Sequence, residues 1–281
     1  MRKTRRRSEY VIQGLTYFAL IVLGLMMLVP FFWMVSSSLK PNYDVFQFPP
    51  VWIPDPIKWS NYPRALTYVP FIRFFINTGI ITGASLVGTL VSNVLIAYAF
   101  ARLEVKGKNI LFYLVLSTMM LPYAVTMVPQ YIIFARYLHW VNTFWPLIVP
   151  SYFGNPFFIF LLRQFFMGIP KEMEDAAALD GAGVLATIWR VILPMSWPAM
   201  VTVGIFAVQG TWNDFLAPLM YLDKESLFTV QLGLQYFTGQ YTGGWNLLMA
   251  ASTVIIGPIL VMFYFGQRMF IRGIVVGGLK E

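Results

Sequence analysis

Four intervals of this chain contain no Asp, Glu, Lys or Arg: those between Glu9 and Lys40, Arg73 and Arg102, Lys108 and Arg136, and His139 and Arg163. A helix rising about 1.5 Å per residue crosses the hydrocarbon of a bilayer in about 20 residues, so each interval is long enough to span. Two further apolar stretches follow, one from about Met195 to Tyr221 that Asp214 interrupts and one from about Trp245 to Gln267. With 58% hydrophobic and 11% charged residues, a water-soluble domain could not cover its own surface. The expectation is an all-α integral membrane protein of six transmembrane helices, at about 11–37, 72–101, 109–135, 143–163, 195–221 and 245–267. These form one domain over 1–281, with an external loop at 39–70, a cytoplasmic loop at 169–194 and a cytoplasmic tail at 268–281.

Basic residues set the orientation. With the N-terminus inside, only Lys40, Lys58, Arg64, Arg73, Arg136 and Lys224 fall outside, and more than twice as many Lys and Arg fall in the cytoplasm. Both termini are therefore expected to be cytoplasmic. The run Arg2, Lys3, Arg5, Arg6, Arg7 before the first span resembles the start of a signal peptide, but the uncharged run far exceeds an h-region of about 7 to 15 residues. It also carries Pro30, Phe31, Phe32 and Trp33 where cleavage would fall, so a retained anchor is expected.

The chain has no cysteine and one histidine, His139, which argues against disulfides, thiol nucleophiles and Cys/His metal cages. Acid, base and nucleophile groupings are missing from the spans, and no G-x-x-x-x-G-K-[ST] phosphate loop occurs, so no catalytic residue is expected. Any energy source is therefore expected on another chain. His139 and Trp140 lie at an external span boundary, where an aromatic belt is ordinary.

Several polar residues fall within the spans. Asp214, with Asn213, lies roughly 25 Å along a helix from Pro198 and near the outer face, and fits either a gate on a translocation path or a helix end. Asn77, Asn93 and Gln209 sit deeper, where an amide either lines a translocation path or bonds a neighbouring helix. Gly79, Gly83 and Gly88, with Ala84 and Ser85, form a small-residue strip that lets another helix approach. The segment from Leu39 to Pro70, rich in Pro, Trp and Tyr, reads as an extended external loop with interfacial anchors.

The segment 169–194 is written as helix, turn, helix. Pro170 suits a first turn, Glu172, Glu174 and Asp175 complement the positive end of the helix dipole, and Gly181 offers a left-handed stop. A second short helix is expected to end before Pro194. Met173, Ala176, Ala177 and Asp180 share one face of the first helix, and Glu172, Asp175 and Leu179 an adjacent one. A short helix with small residues beside carboxylates suits a basic-rimmed groove in a partner. A DNA-binding helix-turn-helix does not fit, because the segment opens acidic and is tethered by membrane spans on both sides.

Asp175-Ala176-Ala177, then Gly181, then Val191-Ile192-Leu193-Pro194, resembles the EAA loop of binding-protein-dependent ABC import permeases. Asp175 stands where that family usually has glutamate, and Val191 where it usually has isoleucine. The likeness extends almost end to end to the shorter permease subunit of the maltose type. It is carried by Ala97-Tyr98-Ala99-Phe100-Ala101-Arg102-Leu103 with Lys106-Gly107-Lys108, by Phe160-Leu161-Leu162-Arg163-Gln164-Phe165-Phe166, by Trp212-Asn213-Asp214-Phe215-Leu216, and by Gln267-Arg268.

The resemblance implies half of an ATP-driven translocation pathway for a sugar or oligosaccharide, in a bacterial or archaeal inner membrane. A polyol or polyol phosphate is the alternative cargo, and a self-sufficient secondary transporter would leave the loop unexplained. The implied partners are a homologous second permease, two ABC ATPase subunits that bind ATP and Mg, an extracytoplasmic solute-binding protein and the lipid bilayer, with no nucleic acid. Glu172, Asp175, Ala176, Ala177, Asp180, Gly181, Leu193 and Pro194 become the residues that couple to the ATPase, and the tail from Gly273 to Glu281 resembles one that also reaches it.

Overall fold

The computed structural model describes residues 2–238 and 244–278, and side chains over 12–238 and 244–269. The side chains of the N-terminal basic run and of the tail from residue 270 on, expected at the cytoplasmic face, lie outside the described residues.

The described residues are helical, with no strand among them. In chain order the helices are α1 (Arg2–Ser38), α2 (Asn61–Tyr68), α3 (Phe71–Arg102), α4 (Lys108–Ser117), α5 (Tyr123–Ile132), α6 (Trp145–Ile148) and α7 (Pro156–Met167). Then come α8 (Glu172–Leu179), α9 (Val184–Thr187), α10 (Leu193–Met195), α11 (Trp197–Trp212), α12 (Leu216–Tyr221), α13 (Val230–Gly233), α14 (Gln235–Thr238) and α15 (Trp245–Gly278).

Four helical stretches are long and apolar enough to cross a membrane: Ile12–Ser38, Phe71–Arg102, Trp145–Met167 and Trp245–Met269. Two more candidates are bent pairs. Lys108–Met120 and Tyr123–Tyr137 meet at 96°, and Val184–Met195 and Trp197–Trp212 at 84°, so the count is six only if each pair is one span.

Both bends sit where the backbone is interrupted. Leu121 is extended at ψ 116 ahead of Pro122, as the ring of a following proline requires, and α5 starts beyond it. At the second bend Ser196 leaves helical geometry at ψ 8, and Pro198, lacking an N–H, opens the first turn of α11. The stretch expected as the fifth span, interrupted near Asp214, begins at the turn at Ser196, has its first helix end at Trp212 and resumes at Leu216.

The chain divides into two compact units. The larger comprises 71–233 and 257–281, and α3 is its centre. Val94, Ala97 and Tyr98 of α3 pack with Leu162 and Phe166 of α7, Ile188 and Ile192 before α10, and Ala199 and Val203 of α11. Of the small-residue strip, a Cβ at Gly88 would meet the ring of Tyr152 and the hydroxyl of Ser151, whereas one at Gly79 or Gly83 would meet no described residue within 4 Å.

The smaller unit comprises 1–70 and 234–256. The segment expected as an extended loop is folded. Asn61 Nδ2 donates to the carbonyls of Ser38 and Lys40, both at 2.8 Å, Asn246 Nδ2 donates to Lys40 O at 3.1 Å, and the amide of Lys58 donates to Leu39 O at 2.8 Å. Lys40 is fully buried with its ammonium 3.9 Å from the centroid of Trp33. Burial lowers its pKa, against the pull of Asp44. Between Ile12 and Phe32 nearly every side chain of α1 is left uncovered by this chain.

Candidate coupling site and membrane polar residues

α7 is started by Asn155, whose Oδ1 accepts from the amides of Phe157 and Phe158 at 3.0 and 3.3 Å, with Pro156 at the first helical position. It runs to Met167, and after Gly168, Ile169 and Pro170 the chain enters α8, whose first turn holds Glu172, Glu174 and Asp175.

α8 ends as its composition suggests. The amide of Gly181 bonds Ala178 O at 3.0 Å and that of Ala182 bonds Ala177 O at 2.9 Å, the paired bonds of a Schellman stop. Gly181 takes φ +81, a left-handed conformation that a side chain disfavours, and no atom lies within 4 Å of where its Cβ would be.

The second arm differs from expectation. Instead of ending before Pro194, α9 runs through a π turn at Ile188–Ile192 into α10, which contains Pro194 and ends at Met195. The wider turn removes the i−4 hydrogen bond that a proline would break, so the ring enters a helix instead of ending it. The chain turns at Ser196, two residues later.

The two arms have different surroundings. Thr187, Ile188 and Ile192 are buried in the core, whereas α8 presents Glu172, Asp175, Ala176, Asp180 and Gly181 to solvent, with Ala177 half-buried. Leu179 is 89% exposed and Trp189 is 67% exposed, with Met173, Val184 and Leu185 also open. Leu193 is half-buried and Pro194 exposed, at the elbow and not on α8.

α8 is held to the bundle by a side chain that sequence reasoning places only as a dipole partner. Glu174, 15% exposed, pairs with the guanidinium of Arg102, 8% exposed, and its Oε2 accepts from Tyr98 Oη at 2.9 Å. Arg102 also donates to the carbonyls of Phe166 and Ile169, at 2.8 and 2.5 Å, where α7 ends. One arginine thus joins the end of α3, the end of α7 and the first turn of α8. The available signal was Tyr98 and Arg102 at i and i+4 on one helix, with an acid in a loop on the same side.

The membrane polar residues separate into two kinds. Asn77 Nδ2 donates to Ser226 O and Phe228 O at 3.0 and 2.9 Å. Asn93, fully buried, donates to Thr89 O at 2.6 Å and accepts the amide of Asn155 at 2.7 Å. Both amides are therefore occupied within the chain. Gln209 and Asn213 are exposed at the end of α11, where Asn213 Nδ2 donates to Gln209 O at 2.9 Å and its Oδ1 accepts from Gln231 Nε2 at 3.3 Å. Asp214 lies in the break between α11 and α12, and its Oδ1 accepts from the amide of Ala217 at 3.2 Å. It precedes Phe215, the N-cap of α12, and is not embedded in a continuous helix.

His139 takes φ 53 beside Trp140, whose amide donates to Phe134 O at 2.8 Å. Nearby, Asn142 Oδ1 accepts the amides of Asp223 and Lys224 at 2.7 and 3.0 Å, tying two turns together. Among the described residues no group of three or more His, Cys, Asp or Glu is placed to hold a metal.

Residues 93–276, which contain the whole of this hairpin and most of its anchoring bundle, match the family of binding-protein-dependent transport system inner membrane components. The chain belongs to that family. Within it, the chain is 34% identical over 280 residues to a probable ABC transporter permease, YurM of Bacillus subtilis (strain 168), covering 98% of this chain and 91% of that one. It is 31% identical to the arabinooligosaccharide transport permease AraQ of the same organism, covering 100% and 99%. The permease AmyC of Thermoanaerobacterium thermosulfurigenes, a probable transporter of starch degradation products, is 29% identical over 275 residues, covering 98% and 100%. The fold is that of a chain in a bacterial ABC transporter that imports the acidic polysaccharide alginate, with a TM-score of 0.81 at 24% identity, covering 94% of this permease and 98% of that chain. This permease is accordingly a multi-pass membrane protein of a transport system.

Proposed function

We propose that this permease forms half of the pathway of an ATP-driven importer for a sugar or oligosaccharide, with α8 as the element that a separate ATPase moves. The observation that carries this reading is the hairpin itself: a short helix with an uncovered face of small and acidic residues and an open Leu179, fixed to the bundle by a buried ion pair. A helix seated in a groove and anchored at its base passes on a push or pull.

In this reading Glu172, Asp175, Ala176, Ala177, Asp180 and Gly181 face the ATPase, and Leu193 and Pro194 form the elbow. ATP and Mg are bound by two partner ATPase subunits. The uncovered α1 faces lipid or the homologous second permease, and both termini are cytoplasmic. A solute-binding protein delivers the cargo from outside. Gln209, Asn213 and Asp214 are polar groups of the pathway, whereas Asn77 and Asn93 brace it.

The carbohydrate assignment is supported by the names of the relatives, which include permeases for arabinooligosaccharides and for starch degradation products. The test is uptake by a strain lacking this gene, with labelled arabino- and malto-oligosaccharides set against glycerol and glycerol phosphate. Loss of uptake of one oligosaccharide supports the reading. Loss confined to the polyols, or no loss of either class, contradicts it.

A further inference from the structure

We infer that Glu174, held by Arg102 and Tyr98, is the residue that passes movement of α8 to the membrane bundle; this rests on the proposed role of α8 as the element moved by the ATPase.

The inference begins with what holds α8. Its outer surface is open, Met173 and Leu179 are exposed, and Glu174 is its one charged side chain that turns inward. The carboxylate meets two groups on α3 at once, the guanidinium of Arg102 and, at 2.9 Å, the hydroxyl of Tyr98. Arg102 in turn holds Phe166 O and Ile169 O at the end of α7. The Tyr98 bond to the carboxylate and the Arg102 bonds to two carbonyls are charge-assisted and directional, and together with the Glu174–Arg102 ion pair they resist a lateral pull better than the sliding contact of an alanine face.

The joint is also sheltered. In a low-dielectric setting an unpaired carboxylate is costly, so separating Glu174 from Arg102 is disfavoured and α3 follows α8 instead. Because α3 packs on α7 and α11, a pull at Glu174 acts on the central helix of the larger unit. Asp175, the neighbouring acid, is exposed and makes no such contact with the bundle, which separates the two acids into an outward docking group and an inward transmitting group.

The absence of cysteine allows a direct test. In the transporter complex purified from membranes, Leu179→Cys reports docking of α8 and Gln209→Cys reports the state of α11, each read as the rate of alkylation by N-ethylmaleimide with and without ATP and Mg. Glu174→Gln removes the charge, Tyr98→Phe removes one hydroxyl and has little reason to unfold the chain, and Glu174→Asp keeps the charge. The expected result is that the α8 thiol introduced by Leu179→Cys is protected equally in all backgrounds. The effect of ATP on the reactivity of the α11 thiol introduced by Gln209→Cys falls about fivefold or more in Glu174→Gln, less in Tyr98→Phe, and is largely kept in Glu174→Asp.

An unchanged ATP response of the α11 thiol in both Glu174→Gln and Tyr98→Phe overturns the inference. So does a parallel loss of α8-thiol protection in both, which makes the joint a matter of folding alone, and so does a lack of any ATP response of the α11 thiol when Glu174 and Tyr98 are both intact. An α8 thiol left unprotected in that same parent complex overturns the docking role of α8 as well.

Discussion

Asn93 on α3 accepts, through Oδ1, the backbone amide of Asn155 at 2.7 Å, and Asn155 then caps α7 with its own side chain. A fully buried amide on one helix thereby fixes where the next begins. Replacing Asn93 by Ala removes its bonds to the Asn155 amide and to Thr89 O, and a typical intramolecular hydrogen bond contributes about 0.5–1.5 kcal/mol. The thermal midpoint of the purified permease should fall accordingly. A midpoint unchanged in Asn93→Ala would show that the bond is dispensable.

At Gly181 the prediction concerns backbone conformation alone. No atom would meet a Cβ there, so Gly181→Ala should lose only what a left-handed residue costs, about 1–2 kcal/mol, and Gly181→Asn less. Hydrogen exchange of the Gly181 and Ala182 amides reads the loosening of the stop directly. Equal protection in wild type and Gly181→Ala would contradict it.

Two glycines of the same strip should behave differently. Gly88→Ala must displace Tyr152 and Ser151, and such overpacking costs about 1–3 kcal/mol. At Gly83 a Cβ would meet no described residue within 4 Å, so Gly83→Ala should leave the midpoint of the isolated permease unchanged. The comparison fails if the two variants unfold at the same temperature.

Lys40 gives a pH dependence. Its pKa in the folded chain is lowered by burial from the usual 10.5, so between the lowered value and 10.5 the unfolded chain binds more protons than the folded one. Stability therefore rises with pH across that window, and below it both states hold the proton and the dependence vanishes. Lys40→Met should remove this rise, seen as a smaller gain in thermal midpoint between pH 7 and pH 10. An equal gain in both proteins would exclude Lys40 as its source.

How much of this was legible in the sequence follows the range of each interaction. The start and stop of α8 are local: a proline, three acids and a glycine within one turn of each end dictate a helix of this length, and the structure has it from Glu172 to Leu179. The partners of Glu174 are not local. Tyr98 is 76 residues away, and nothing in the loop distinguishes Glu174 from Glu172 or Asp175 until the end of α3 is placed beside it. Pro194 misleads because the rule that proline ends a helix assumes an α turn before it, and here a π turn precedes it. Asp214 is readable as unusual in an apolar span, but whether it breaks the helix or faces across it depends on the turn at Asn213.

The most direct measurement is recovery of an ATPase with this permease. Affinity-tagged permease purified in mild detergent should bring down a stoichiometric ABC ATPase, and the double variant Asp175→Arg with Leu179→Arg, both on the exposed face of α8, should lose it while the permease still folds with an unchanged thermal midpoint. Recovery of the same amount of ATPase with the double variant, or transport by the tagged permease with no ATPase bound, would contradict the account.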